Sequence, residues 1–401
     1  MDFNELGSNS PPDLVAAMGA AYLRDRRPLM AHLDITYRCD LDCKHCYLDN
    51  KTTWPELNQA EFRNLLDQLL EASVLELMWS GGEVFQRPDF MEQLQYAASL
   101  GFISRVKTHG GNVTAERAQQ LAQCRVCRVD VSVYSLDPTI HDEFTRRPGS
   151  LAATLLGIDL LQAAGLPVKV SCSVQPATIE EIPQIWRYFT DRGCEVALNT
   201  EVIRDHSGSN ALDKFNLSQS ELQRARVLMQ QVTNATQKPR QRIASQGGQA
   251  PCGAGRLSLY ISPDGSLWPC IAWPMALGQV REKTVLQIWR ESELRQQIVE
   301  FTNDSRTSCH SCAGSGHCTY CAGEAFKLSG DFRVAPATFH AQTRAKMLAW
   351  ELAGGGAFGQ EAWASVPDGG ERGAVPKFKF PIYRPQKGGG SRVKGAKSSA
   401  Q

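Results

Sequence analysis

Thirteen cysteines in a chain of 401 residues give the first chemical signal. C-x-x-C pairs stand at 43/46, 124/127, 309/312 and 318/321, where chance would supply roughly 0.4 of a pair. Cys39, Cys43 and Cys46 lie together in YRCDLDCKHCYLDN. Three thiolates can hold a 4Fe–4S cluster and leave one iron without a protein ligand. A structural zinc site wants four ligands, and His45, adjoining Cys46, fits a shared tetrahedron awkwardly. A second group is Cys252, Cys270, Cys309, Cys312, Cys318 and Cys321, ending in C-x-x-C-x5-C-x-x-C. Cys172 and Cys194, in or beside predicted strands, read as small buried apolar residues. Cys124 and Cys127 read as an accidental pair.

The elements that must position these thiols follow from periodicity. Six short runs predict strands: AHLDIT, VLELMW, ISRVKT, CRVDVSV, PVKVSCSV and EVALNTEV. Amphipathic segments separate them. Asn58 and Glu61 form a capping box before Phe62, Leu65, Leu66, Leu69 and Leu70, which share one helical face. Further helices are expected in DFMEQLQYAASLG, from Thr114, and after Gly149-Ser150. Two more follow from capping by Thr178 with Glu181 (Ile182, Ile185, Trp186 and Phe189 on one face) and by Ser218 with Glu221. Six strand–helix repeats imply a parallel α/β architecture with its reactive end at the C-terminal ends of the strands. The cysteine triplet follows the first strand, and Ser80-Gly81-Gly82-Glu83 follows the second. Residues 237–251 read as a polar linker. After them the alternation stops, and RLSLYISPDGSLW predicts a hairpin turning at Pro263-Asp264-Gly265. A last helix is expected over roughly 338–352.

C-x-x-x-C-x-x-C after a first strand, with Gly-Gly-Glu after the second, resembles the radical S-adenosylmethionine (radical SAM) enzymes. His45 stands where that family usually has an aromatic residue. The resemblance implies a partial (βα)6 TIM-like barrel over residues 30–236, after an N-terminal extension of residues 1–29. It implies a 4Fe–4S cluster on Cys39, Cys43 and Cys46 whose open iron chelates S-adenosylmethionine, with Gly81, Gly82 and Glu83 at the amino group. By the same resemblance Ser135 would contact the ribose, and Arg146 or Arg147 the carboxylate. Residues 252–353 are similar to the SPASM extension, a small cysteine-rich Fe–S domain with one or two auxiliary clusters. Carried over residue by residue, Cys252, Cys270 and Cys321 would hold the first. Cys309, Cys312 and Cys318 would hold the second, with His340 near the position of a missing seventh cysteine. Two residues, not the usual three, separate the last pair.

Charge and hydropathy bound the rest. The net charge is +1, but from Arg372 onward there are eight Lys or Arg and no acid, leaving 35 basic against 42 acidic residues elsewhere. The Gly-rich end, 354–401, reads as a disordered basic tail. No apolar run reaches membrane-spanning length, no export signal is apparent, and an odd cysteine count without a leader points to reduced thiols in the cytoplasm. The resemblance implies reductive cleavage of S-adenosylmethionine to a 5′-deoxyadenosyl radical, fed by an electron donor such as flavodoxin or ferredoxin. SGGEVFQRPDF and the auxiliary spacing look most like the peptide-maturing members, so the expected substrate is a ribosomally made precursor peptide, crosslinked or epimerised. Only about 30 residues precede the first strand, so a separate leader-recognition protein is expected. Rival readings are a sulfatase-maturing or tetrapyrrole-modifying enzyme, and a zinc-stabilised nucleic-acid-binding protein. The radical reading expects neither nucleic acid nor membrane as partner.

Overall fold

The computed structural model describes residues 12–48, 55–204, 212–236, 250–306, 309, 312–354 and 356–367. The basic tail beyond 367 and most of the expected linker, 237–249, lie outside the described residues.

Six parallel strands carry the fold: β1 (Met30–Thr36), β2 (Glu76–Gly81), β3 (Ile103–Thr108), β4 (Val126–Val133), β5 (Val168–Ser173) and β6 (Glu195–Asn199). Their helices are α1 (Pro12–Arg24), α2 (Gln59–Glu71), α3 (Phe90–Ser99), α4 (Ala115–Gln123), α5 (Pro138–Thr145), α6 (Ser150–Ala163), α7 (Ile182–Thr190) and α8 (Gln219–Thr236). Alternate strand residues divide two faces, as the period of two demands. Leu33, Ile35, Leu77, Trp79, Val106, Val129, Val131, Val168 and Val170 enter the apolar core beneath the helices. His32, Lys107 and Ser132, from the opposite parity, line a cavity.

Local chemistry starts the helices where expected in most cases. The Asn58–Glu61 capping box is complete, and α2 buries Phe62, Leu65, Leu66 and Leu69, each worth about 1.5–3 kcal/mol of burial. Thr114 caps α4, and Ser218 exchanges bonds with Glu221 at the start of α8. The Thr178–Glu181 cap is not formed. Pro176 opens a 3-10 turn over Pro176–Glu181, Thr178 bonds back to Gln175, and α7 starts only at Ile182. Glu181 turns away to accept from Ser135. Sequence periodicity also missed α1 and α5.

Beyond the six strands the alternation stops, as expected, but the sheet does not. The hairpin β7 (Ser258–Ile261) and β8 (Ser266–Trp268) extends it, with β9 (Gly278–Gln279) at its edge. β7 lies parallel to β1, with Met30 opposite Ser258 and Leu33 opposite Ile261. The order is β6-β5-β4-β3-β2-β1-β7-β8-β9. The remaining helices are α9 (Val285–Glu291), α10 (Glu293–Glu300), α11 (Ala322–Ser329), α12 (Ala337–Leu352) and α13 (Gln360–Ser365). α12 packs on α8 through Ala345.

Candidate active site

The loop after β1 is pinned before it presents its thiols. Backbone N–H groups of Asp42 and Lys44 donate to the carbonyls of Thr145 and Phe144 at the end of α5, at 3.2 and 2.9 Å. Asp40 lies 2.9 Å from His109 Nε2 and accepts from Asn112 (3.0 Å) and Arg147 (2.9 Å). The His109 contact is the largest of several effects that hold its carboxyl well below the usual range. His109 is itself desolvated, but Glu83 and Asp40 outweigh that and raise its pKa. The ring of His45 packs between Tyr134 and Phe144, with centroids 5.1 and 4.8 Å away. Burial, and then the Cys43 and Cys46 thiols beside it, push the Tyr134 hydroxyl far up.

Gly81 and Gly82 serve this loop directly. Gly81 sits at φ +130°, and a Cβ there would fall 2.1 Å from the Thr36 carbonyl oxygen. A Cβ on Gly82 would fall 2.3 Å from that of Arg38. The N–H groups of Gly82 and Glu83 donate to those same two carbonyls, at 2.8 and 2.9 Å. Glycine is required because the end of β1 crosses here. Glu83 is fully buried and does not line the cavity. Its carboxylate accepts from Thr108 Oγ1 (2.8 Å), His109 N (3.0 Å) and Phe85 N (3.3 Å). It braces β2 to β3, while Ser80, Gly81 and Gly82 face the cavity.

One cavity of about 1340 Å³ lies at the C-terminal ends of the strands. Cys39, Cys43 and Cys46 line one part of it, and Cys252, Cys270 and Cys321 another. The second trio converges. Burial raises the Cys270 thiol to about 12, with Cys252 adding to it, and Cys321 is raised further by burial, Cys270 and Cys252. Deprotonating three such thiols would concentrate negative charge in an apolar setting, which needs a cationic centre to hold it. The donor set therefore fits an iron–sulfur cluster. Trp273, Phe326, Tyr320 and Phe301 form the surrounding apolar cluster, against which Cys252, Cys270 and Cys318 pack. Cys312 is raised by burial, with Cys309 and Cys318 contributing, so these three form a separate group that does not line the cavity.

The remaining expected residues fall elsewhere. Ser135 is fully buried, donates to both oxygens of Glu181 and does not line the cavity. Arg146, in the left-handed conformation at the end of α5, reaches out to Asp42 and also stays off the cavity wall. His340 is partly buried on α12, which lowers its pKa. Thr343 and Met347, on the same helical face, press on Gly314 between Cys312 and Cys318. Cys124, Cys172 and Cys194 are buried and Cys127 is exposed. Periodicity did not single out Lys107, His109 or Tyr134. The available signal was polar residues at every second position of HLDIT, RVKT and RVDVS, in strands expected to be buried on both faces.

Residues 33–189 match the radical SAM superfamily, and residues 252–318 match the SPASM iron–sulfur cluster-binding domain. The chain is 24% identical over 330 residues to the AdoMet-dependent heme synthase of Methanosarcina barkeri, covering 76% of this chain and 94% of that protein. It is 27% identical over 312 residues to the antilisterial bacteriocin subtilosin biosynthesis protein AlbA of Bacillus subtilis, covering 73% and 67%. Streptococcus suis SuiB bound to precursor peptide SuiA shares the fold, with TM-score 0.61 at 18% identity over 82% of this chain and 81% of that one. No described helix is long and apolar enough to cross a membrane. With one thiol group inside each matched region or at its end, the chain belongs to the radical SAM superfamily: an enzyme with a SPASM domain, whose cofactors are 4Fe–4S clusters and S-adenosylmethionine.

Proposed function

We propose that this enzyme modifies a ribosomally made precursor peptide. The observation that carries the reading is the single cavity spanning both thiol trios, large enough for a peptide segment as well as S-adenosylmethionine. The relation to AlbA supports it. Cys39, Cys43 and Cys46 would hold the S-adenosylmethionine-binding cluster, Cys252, Cys270 and Cys321 an auxiliary one, and Cys309, Cys312 and Cys318 a second, for which His340 would be the fourth ligand. When bound, the first cluster and S-adenosylmethionine supply a 5′-deoxyadenosyl radical for hydrogen abstraction. The protein's own residues do the positioning. Ser80, Gly81 and Gly82 present backbone to the amino group, Glu83 holds that turn rigid, and the aromatic shell excludes water.

The heme synthase relatives favour a second reading, a tetrapyrrole substrate. Both are tested with anaerobically reconstituted full-length enzyme, S-adenosylmethionine and reductant. Peptides encoded beside the gene and coproporphyrin III are offered separately and analysed by mass spectrometry. A mass change in a peptide supports the first reading, and a change in the porphyrin alone replaces it with the second. Iron near 8 to 12 atoms per chain is expected from two or three four-iron clusters. Zinc in place of iron would overturn both. Substituting Cys39, Cys43 and Cys46 together by Ala is expected to remove about four irons and all 5′-deoxyadenosine release.

A further inference from the structure

The cavity-facing parity of the strands carries charge of both signs, and nearly all of it is paired. Arg105 joins Glu76, Arg128 joins Asp130, and Lys169 lies 3.1 Å from Glu195. Asp34, 1% exposed, accepts from Tyr260 at 2.9 Å and Tyr47 at 3.2 Å, with His32 Nε2 3.2 Å from its other oxygen. Tyr37 and Tyr260 share a further bond of 2.7 Å. The tyrosines close Asp34 off. Lys107 is left over. It lines the cavity and makes no hydrogen bond or ion pair with a described residue, although Asp130 and Asp34 lie within electrostatic range. Desolvation lowers its pKa against the pull of those carboxylates.

An ammonium offers three donors and no acceptor, and desolvating it without a partner is costly. Asp130 is paired with Arg128, and Asp34, although its Oδ1 has no hydrogen-bond partner, is not within bonding distance of Lys107, so an acceptor for the ammonium comes from what fills the cavity. His32, Tyr47, Tyr260 and Ser132 line the same cavity, but the Tyr47 and Tyr260 hydroxyls already donate to Asp34, whereas the three donors of Lys107 are not taken by these contacts. We propose that Lys107 anchors a carboxylate subsite in this cavity, taking an acidic group of the substrate. The proposal rests on the reading of this cavity as the place where substrate meets S-adenosylmethionine. It applies to an acidic peptide side chain and to a tetrapyrrole carboxylate alike.

The test uses the full chain, reconstituted and saturated with S-adenosylmethionine but without reductant. Equilibrium binding is measured for coproporphyrin III against its tetra-amide, and for the peptide encoded beside the gene against its version with Asn and Gln in place of Asp and Glu. The wild type is expected to bind one acid about tenfold or more tighter than its amide, a charge-assisted hydrogen bond. Lys107→Met should abolish that preference and Lys107→Arg keep it, with S-adenosylmethionine affinity unchanged in both. Lys107→Gln serves if the Met variant fails to fold. A preference that survives in Lys107→Met overturns the proposal, and so does a wild type that prefers neither acid. A selective loss of S-adenosylmethionine affinity assigns Lys107 to the cofactor and also overturns it. Failure of peptide maturation is scored separately, by mass, and leaves the porphyrin arm to decide Lys107.

Discussion

Glu83 shows how a motif residue can be legible in the sequence while its contacts are not. The Gly-Gly-Glu string after the second strand is visible by spacing, and a carboxylate there suggests pairing with a substrate ammonium. In the fold that carboxylate is buried and already accepts from Thr108, His109 and Phe85. Substituting Glu83→Ala should leave those donors unsatisfied and cost roughly 2–4 kcal/mol. Glu83→Gln keeps an acceptor oxygen and should recover much of that in thermal unfolding. If Gln restored the unfolding midpoint yet abolished 5′-deoxyadenosine release, the carboxylate would be acting on S-adenosylmethionine itself. The glycines were legible as part of a motif expected at the S-adenosylmethionine amino group, but what crowds them is the chain at Thr36 and Arg38. That partner is set by strand order, which residue types do not encode. Ser135 was read the same way, and its hydroxyl is committed to Glu181, a residue 46 positions on.

At the scale of elements, strands were the most legible because their core-facing residues repeat every second position, from Leu33 and Ile35 to Val168 and Val170. Short helices with mixed faces were not. PTIHDEFT, which forms α5, has no apolar stripe, yet its last residues carry the cysteine loop. A buried histidine underlies this corner. His141 is 1% exposed, its Nδ1 lies 3.1 Å from Ser150 Oγ, and burial lowers its pKa to about 4. The folded state thus favours the neutral ring, while the unfolded chain takes up a proton near pH 6.5. Stability is full above that pH and is lost as pH falls from about 6.5 towards 4, by at most about 3 kcal/mol. Melting curves of wild type and His141→Gln should converge over that window if the assignment holds. An unchanged pH slope in the variant would place the acid sensitivity elsewhere.

At the scale of the whole molecule, the two halves expected from composition share one sheet. The linker signal at 237–251 and the end of the strand–helix alternation both suggested a detachable cysteine-rich unit. Pairing between distant strands has no local signature, so β7 beside β1 was not legible in either segment. Its consequence is structural dependence. Leu259 and Ile261 belong to the same apolar core as Leu33 and Leu77, and Trp289 in α9 packs there and donates to the Arg26 carbonyl at 3.0 Å. Removing residues 252–401 would strip β1 of one neighbour and expose its donors and acceptors beside an opened core, a template for edge-to-edge association. Such a truncation is therefore expected to be insoluble or aggregated. A chain in which Cys252, Cys270, Cys309, Cys312, Cys318 and Cys321 are all alanine should stay folded by circular dichroism while losing its auxiliary iron. Sedimentation velocity and iron content compare the two directly. If the truncated chain were a well-folded monomer that still released 5′-deoxyadenosine, β7 would be an ornament on an independent barrel. If the alanine chain alone collapsed, metal would hold this half of the sheet in place.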